Sequence, residues 1–147
     1  MDLFIKPKSA ISCDEYELIE DFSINILNEE INIPKFFSYD GATIPWLAWK
    51  ITYTPFDPKV MIPAVVHDWL YSNHQTNRKK ADQIFEQLLI ENQVPIKLAR
   101  MMYLALRIGA GSHWENKVED VKYLKSLYKL HLDNPKLKLY KFPNLNL

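Results

Sequence analysis

The sequence predicts an α+β fold: a small N-terminal antiparallel β-hairpin or sheet, followed by about four packed α-helices. Three observations carry that reading. Apolar residues alternate with a period of two before residue 40, and they recur at three- and four-residue spacings after it. The change of period falls at Asp40-Gly41, a turn dipeptide in a chain with only three glycines. Strands first and helices afterwards, without alternation, is the pattern of an α+β domain.

The elements follow in order. Tyr16, Leu18, Phe22, Ile24 and Ile26 take even positions while Glu17, Asp21, Ser23 and Asn25 take odd ones, which predicts one half-buried strand over residues 16–26. Residues 27–30 read as a turn, and Ile31, Ile33, Phe37 and Tyr39 alternate again, completing a hairpin. Residues 3–11 are a candidate third strand, and Pro34 suits an edge. Past Gly41, residues 44–50 form a short apolar piece with Trp46 and Trp49, and residues 52–58 a proline-rich loop. A central helix is expected over residues 63–72, with Pro63 in its first turn, where a missing amide costs nothing. Asn77 caps a helix to about Gln93 on the stripe Ala81, Ile84, Phe85, Leu88 and Leu89. Pro95 opens the next helix, with Leu98, Met101, Met102, Ala105 and Leu106 as its stripe, and residues 109–111 stop it. Ser112 and Glu115, three apart, form a capping box that launches a last helix to about Leu132. The expected organisation is one α+β domain over residues 1–134 and an irregular tail over residues 135–147.

Composition narrows the function classes. A single domain of 147 residues buries about two thirds of its unfolded surface and needs no staple. Basic and acidic residues number 18 each, so net charge demands neither a nucleic acid nor an anionic partner. The charges are unevenly placed: residues 14–40 are acidic with Lys35 as the exception, and residues 117–141 carry seven lysines. One cysteine, Cys13, excludes an internal disulfide and a cysteine-based zinc cage. No cationic leader and no run of about 18 apolar residues occurs, so the expected product is soluble and cytoplasmic as synthesised, with virion association open to it. There is no glycine-rich phosphate loop, and nucleic acid is not an expected partner. On the last helix Lys122, Lys125 and Lys129 lie opposite Val121, Leu124, Leu127 and Tyr128, an ordinary amphipathic pattern that also suits a lipid or membrane surface.

The chemistry-bearing stretch is "PAVVHDWLY". Four-residue spacing puts His67 and Tyr71 on one helix face, and Asp68 neighbours Tyr71. Asp82 flanks the apolar stripe of the following helix, where antiparallel packing brings its carboxylate to the imidazole of His67, as a general base requires. Asp40 and Gly41 supply a turn that, with Asp68, offers hard oxygen donors of the kind calcium takes. Each feature also has a plain structural account. Asp82 can pair with Arg78, Asp40-Gly41 can be an ordinary turn, and His67 can be a satisfied core histidine.

The motifs "FFSYDGATIPWLAW", "AVVHDWLY", "NRKKADQIF" and "ARMMYLALRIGAGSHW" together resemble the phage and prophage family known as domain of unknown function 1353. The resemblance covers roughly residues 16–114 and implies a mobile-element setting, near virion or lysis genes, with phage structural proteins as partners. A second resemblance covers about fifty residues. The order of an aspartate-glycine turn, His-Asp-x-x-Tyr and Arg-x-x-x-Asp-x-x-Phe is similar to the bacterial and fungal secreted phospholipase A2 enzymes. It implies that His67 activates a water, Asp82 orients His67, Tyr71 bonds within the dyad, and Asp68 with Asp40 and Gly41 holds calcium. Those enzymes are disulfide-stapled, whereas this chain has one cysteine.

Two readings follow. The leading one is a calcium-dependent, phospholipase A2-like hydrolase of an acyl ester; its rival is a non-catalytic virion, tail or assembly component in which the polar cluster is structural. The hydrolase requires His67 and Asp82 in hydrogen-bond reach, with the His67 face open to a cleft. A ring sealed under Trp46 or Trp69 belongs to the structural reading.

Overall fold

A computed structural model of the chain describes residues 2–8, 15–40, 53, 57–115 and 117–133. The expectations placed on Cys13, Gly41, the apolar piece with Trp46 and Trp49, most of the proline-rich loop, and the tail lie outside the described residues.

Five short strands precede five helices among the described residues, an α+β architecture. The strands are β1 (Ile5–Pro7), β2 (Tyr16–Leu18), β3 (Phe22–Ile26), β4 (Glu29–Ile33) and β5 (Ser38–Tyr39). They form two sheets, a three-stranded one in the order β1-β2-β5 and the two-stranded hairpin β3-β4, all antiparallel. The single strand expected over residues 16–26 is therefore two strands in different sheets. The cause lies downstream. Pro34 has no amide to continue the β4 ladder, and the chain turns through Phe36 at a φ of 71°. It then runs back beside β2, with Leu18 N donating to Phe37 O and Phe36 N to Leu18 O. Asp21 marks the break by accepting from Lys35 N at 2.9 Å.

The hairpin is tighter than expected. Ile26 pairs with Glu29, so only Leu27 and Asn28 turn, at φ 48° and 65°. Two successive positive φ values are the type I′ geometry that matches the twist of the flanking strands. Phe22, Ile24 and Ile26 face the core and Ser23 and Asn25 face out, as the alternation requires.

The helices are α1 (Pro58–Asn73), α2 (Arg78–Glu91), α3 (Ile96–Gly109), α4 (Gly111–Glu115) and α5 (Lys117–Leu132). α1 is central and packs on α2, α5 and the strands β4 and β5. It begins five residues earlier than expected, because Asp57 accepts from Lys59 N at 2.9 Å and Pro58 occupies its first turn. Pro63 is therefore an interior residue, and it frees the carbonyl four positions back. That carbonyl, Lys59 O, accepts from Asn92 Nδ2 at 3.3 Å, which supplies a partner from another helix.

Asn77 caps α2 as expected, accepting from Lys80 N at 2.9 Å. In α3 the fully buried edge is Ala99, Met102 and Leu106, whereas Met101 is 50% exposed, so the expected stripe is displaced by part of a turn. The capping box is replaced by different geometry: Ser112 lies inside the short helix α4, and α5 starts separately at Lys117. α5 buries Leu124 and Leu127, and Tyr123 ties it to β5 by accepting from Ser38 N at 2.9 Å. No helix of the described residues is long and apolar enough to cross a membrane.

Candidate functional site

α1 and α2 are joined by four residues, too few for anything but an antiparallel return. His74 terminates α1 in the left-handed region at φ 52°, its amide donating to Leu70 O. That return places the last turns of α1 against the first turns of α2. His67 and Tyr71, one turn apart on α1, thereby meet Asp82 on α2.

The carboxylate of Asp82 is the hub. Its Oδ1 lies 2.8 Å from His67 Nε2 and accepts from Tyr71 OH at 2.7 Å, while its Oδ2 accepts from Arg107 Nη1 at 2.7 Å. His67 and Asp82 are both 0% exposed and Tyr71 is 2% exposed. Only Arg107, at 31% side-chain exposure, reaches solvent from this set. Burial alone would raise the Asp82 pKa, but the bonds from His67, Tyr71 and Arg107 outweigh it and hold the carboxyl below its ordinary value. Burial dominates at His67, pulling its pKa below 6.5 against the pull of Asp82. The ring is therefore neutral, and a neutral imidazole facing a carboxylate through Nε2 carries its proton there, with the lone pair on Nδ1. Burial, and then the bond to Asp82, raises the Tyr71 hydroxyl, which stays a donor at any physiological pH.

Arg107 and Arg78 complete the arrangement. Arg78 does not take Asp82 as its described partner; its Nη2 donates to Leu106 O at 2.8 Å and Arg107 O at 3.1 Å, at the C-terminal end of α3. A cation suits that end, where carbonyls lack helical partners. Its Nε lies 3.4 Å from Tyr71 OH. The sequence offers Arg78 as the partner of Asp82; the structure gives that place to Arg107, which the sequence does not single out. The available signal was charge: Asp82 on a buried stripe requires a cation, and α3, returning along α2, brings its last turn to that level.

Three of the sequence-derived residues, His67, Tyr71 and Asp82, thus converge. Asp68 does not join them. It is 6% exposed and points around the helix to a separate cleft of about 230 Å³, lined also by Asp40, Glu15, Ser38, Ser72 and Tyr123. Asp68 adds to the burial that raises the Tyr39 hydroxyl on the same side. Asp40 and Asp68 therefore share a cleft as calcium would require, while Gly41 lies outside the described residues. Their oxygens suit a hard cation in kind. In number they supply two carboxylates, and among the described residues no three His, Cys, Asp or Glu groups converge to hold a metal.

The His67 ring meets one of the two requirements of a general base. It is in hydrogen-bond reach of Asp82, but it is fully buried, in tilted ring contact with Tyr71 at 4.1 Å and with Phe85 at 5.2 Å between centroids. Trp69 is engaged edge-on by Phe37 at 5.1 Å, and Trp46 lies outside the described residues. Tyr71 is covered in turn by Trp114 of α4, edge-on at 5.1 Å.

A family model described as "Protein of unknown function (DUF1353)" matches residues 16–106, which span every strand from β2 onward and the helices α1, α2 and most of α3. No curated protein matches the chain, and no solved structure matches it.

Proposed function

The chain belongs to the DUF1353 family of proteins of unknown function, and we propose that it is a non-catalytic component whose His67–Asp82–Tyr71–Arg107 cluster is a structural joint, with a place in a phage virion or its assembly that rests on the resemblance of its motifs and not on the geometry. One observation carries this reading: the imidazole and the carboxylate are both 0% exposed. A general base must meet the proton it removes directly or through one water. A His67 sealed among Tyr71, Phe85 and the α1–α2 interface meets neither. The cluster has a sufficient structural role, since one carboxylate accepts from α1 twice and from α3 once while belonging to α2. It ties three helices at one point.

The second reading, a phospholipase A2-like hydrolase, is favoured by the dyad itself: a neutral imidazole held through Nε2 by a carboxylate that Tyr71 also engages. In that reading Nδ1 takes a proton from water, the hydroxide oxygen adds to an ester carbonyl, and the same proton passes to the departing alkoxide. Asp68, Asp40 and Gly41 would hold calcium, which supplies Lewis-acid polarisation of the carbonyl. This chemistry requires His67 to become accessible.

The test is calcium titration calorimetry and release of fatty acid from phospholipid vesicles, on wild type and His67→Ala. The structural reading expects no calcium-dependent hydrolysis by wild type. Hydrolysis by wild type that His67→Ala abolishes, with the variant still folded by circular dichroism, overturns it in favour of the enzyme.

A further inference from the structure

α3 is apolar on both sides. Its inner edge is buried against α2, yet its solvent face carries Met101 and Leu104, each 50% exposed, and Ile108 at 88%. At 100° per residue these three fall within one narrow arc, with Lys97 in its middle and Arg100 on its border. Ile96, at the start of the same helix, is 68% exposed. Among the described residues nothing covers this apolar surface.

The charges that α3 itself carries have one sign, and Glu86 of α2 is the carboxylate beside them. From Asn92 to Trp114 the chain contains Lys97, Arg100 and Arg107 and no carboxylate. Arg107 is committed to Asp82, and Arg100 bonds Glu86, but that pair leaves the Arg100 side chain 60% exposed and able to turn to another anion. A second copy of the same face would set these cations against their equivalents, which disfavours a symmetric dimer. Of the tyrosine, tryptophan and arginine side chains that most often anchor a protein interface, the arc and its border hold Arg100 alone, and Glu86 engages it, which disfavours a protein partner. Aliphatic residues that project from a convex helix, with cations at the level of a headgroup, are what an interfacial helix presents to lipid.

We propose that the outer face of α3 docks on an anionic lipid surface, with Met101, Leu104 and Ile108 entering the acyl boundary and Lys97 and Arg100 meeting phosphate. This proposal stands on the helix face and holds whether or not the buried cluster has an activity. It puts the lipid contact on α3 in preference to α5, which spends Leu124 and Leu127 on the core and leaves Leu130 and Leu132 about half exposed at its end.

The experiment is co-sedimentation of the full chain with vesicles of phosphatidylcholine and phosphatidylglycerol in the presence of EDTA, so that calcium-dependent hydrolysis cannot contribute. Wild type is expected to partition to these vesicles and several-fold less to phosphatidylcholine alone. The double variant Leu104→Ser/Ile108→Ser is expected to lose ~10-fold or more in partitioning, with the fold retained by circular dichroism, since Leu104 is half and Ile108 almost wholly exposed. The triple variant Lys122→Gln/Lys125→Gln/Lys129→Gln on α5 is expected to bind within about twofold of wild type. The proposal is overturned if wild type does not sediment with the anionic vesicles, if the α3 variant binds like wild type, or if the α5 variant alone loses binding. It is also overturned if ultracentrifugation shows a dimer that the α3 variant dissociates, since the face is then covered by a second copy.

Discussion

Replacing Arg107 by methionine tests whether Asp82 is a buried charge that its neighbours must neutralise. The substitution keeps most of the aliphatic stem and removes one cation, leaving a carboxylate that is 0% exposed with Tyr71 and a neutral His67 as its remaining partners. Removing one member of a fully buried ion pair costs about 3–5 kcal/mol. Arg107 is 31% exposed and two bonds to Asp82 survive, so the expected loss sits at the low end, ~3 kcal/mol. In a chain of this size that corresponds to a melting temperature lower by about 6–12 °C. Asp82→Leu removes the charge but strands the His67 and Tyr71 donors in the interior, at roughly 1–3 kcal/mol per group. In that background Arg107 has no buried anion to serve and can turn to water, so adding Arg107→Met is expected to cost under about 0.5 kcal/mol. The two substitutions are therefore strongly non-additive, with a coupling of ~3 kcal/mol between them. Urea unfolding of wild type, both single variants and the double variant, with slopes compared, supplies all four corners. Costs that add, or an Arg107→Met that unfolds at the wild-type midpoint, would refute the account of Asp82 as an obligatorily neutralised hub.

Two further outcomes follow from the same structure. The pKa of His67 lies below its ordinary 6.5, so the folded state binds fewer protons than the unfolded one; its contribution is full above about pH 6.5 and is lost as pH falls from there toward the folded value. Asp82 is depressed from 3.8, and its contribution, present above that value, is lost only in stronger acid. Urea midpoints should thus be level at and above about pH 7 and decline below 6.5, and a flat profile down to about pH 5 would contradict the burial of a neutral His67. At the hairpin, Leu27 holds a φ of 48° while 39% exposed. Leu27→Asn places a residue that tolerates this region at little loss of burial, and is expected to stabilise by roughly 0.5–1 kcal/mol in the same assay; destabilisation would mean that the Leu27 side chain contributes more through packing than its backbone costs.

Much of the arrangement was legible locally. Alternation placed Phe22, Ile24 and Ile26 inward because a pleated strand sends successive side chains to opposite faces whatever lies above it. Asn77 was legible because a cap is a bond between a side chain and an amide three residues on. The meeting of His67 with Asp82 was legible for a related reason: two helix periods and a short connection fix which faces oppose. The break of the first strand left a local trace, since Ile19 and Glu20 invert the alternation, but which strand comes to the side of residues 16–18 depends on Pro34 and Phe36 and is not written there. Pro63 inside α1 was hidden likewise, because its freed carbonyl is satisfied by Asn92, thirty-three residues from it.

By itself, then, the sequence determined the α+β class, the hairpin, the helix faces and the residues that would form the polar cluster, all consequences of periodicity and capping within a few turns of chain. Only the tertiary structure decided that the cluster is sealed, that Arg107 neutralises it, that Asp68 opens on another cleft, and that α3 keeps an apolar face in solvent. Those outcomes depend on which surface lies above each side chain. Burial and charge compensation are properties of neighbours that other helices bring, Phe85 of α2 to His67 and Arg107 of α3 to Asp82, and no local spacing encodes them.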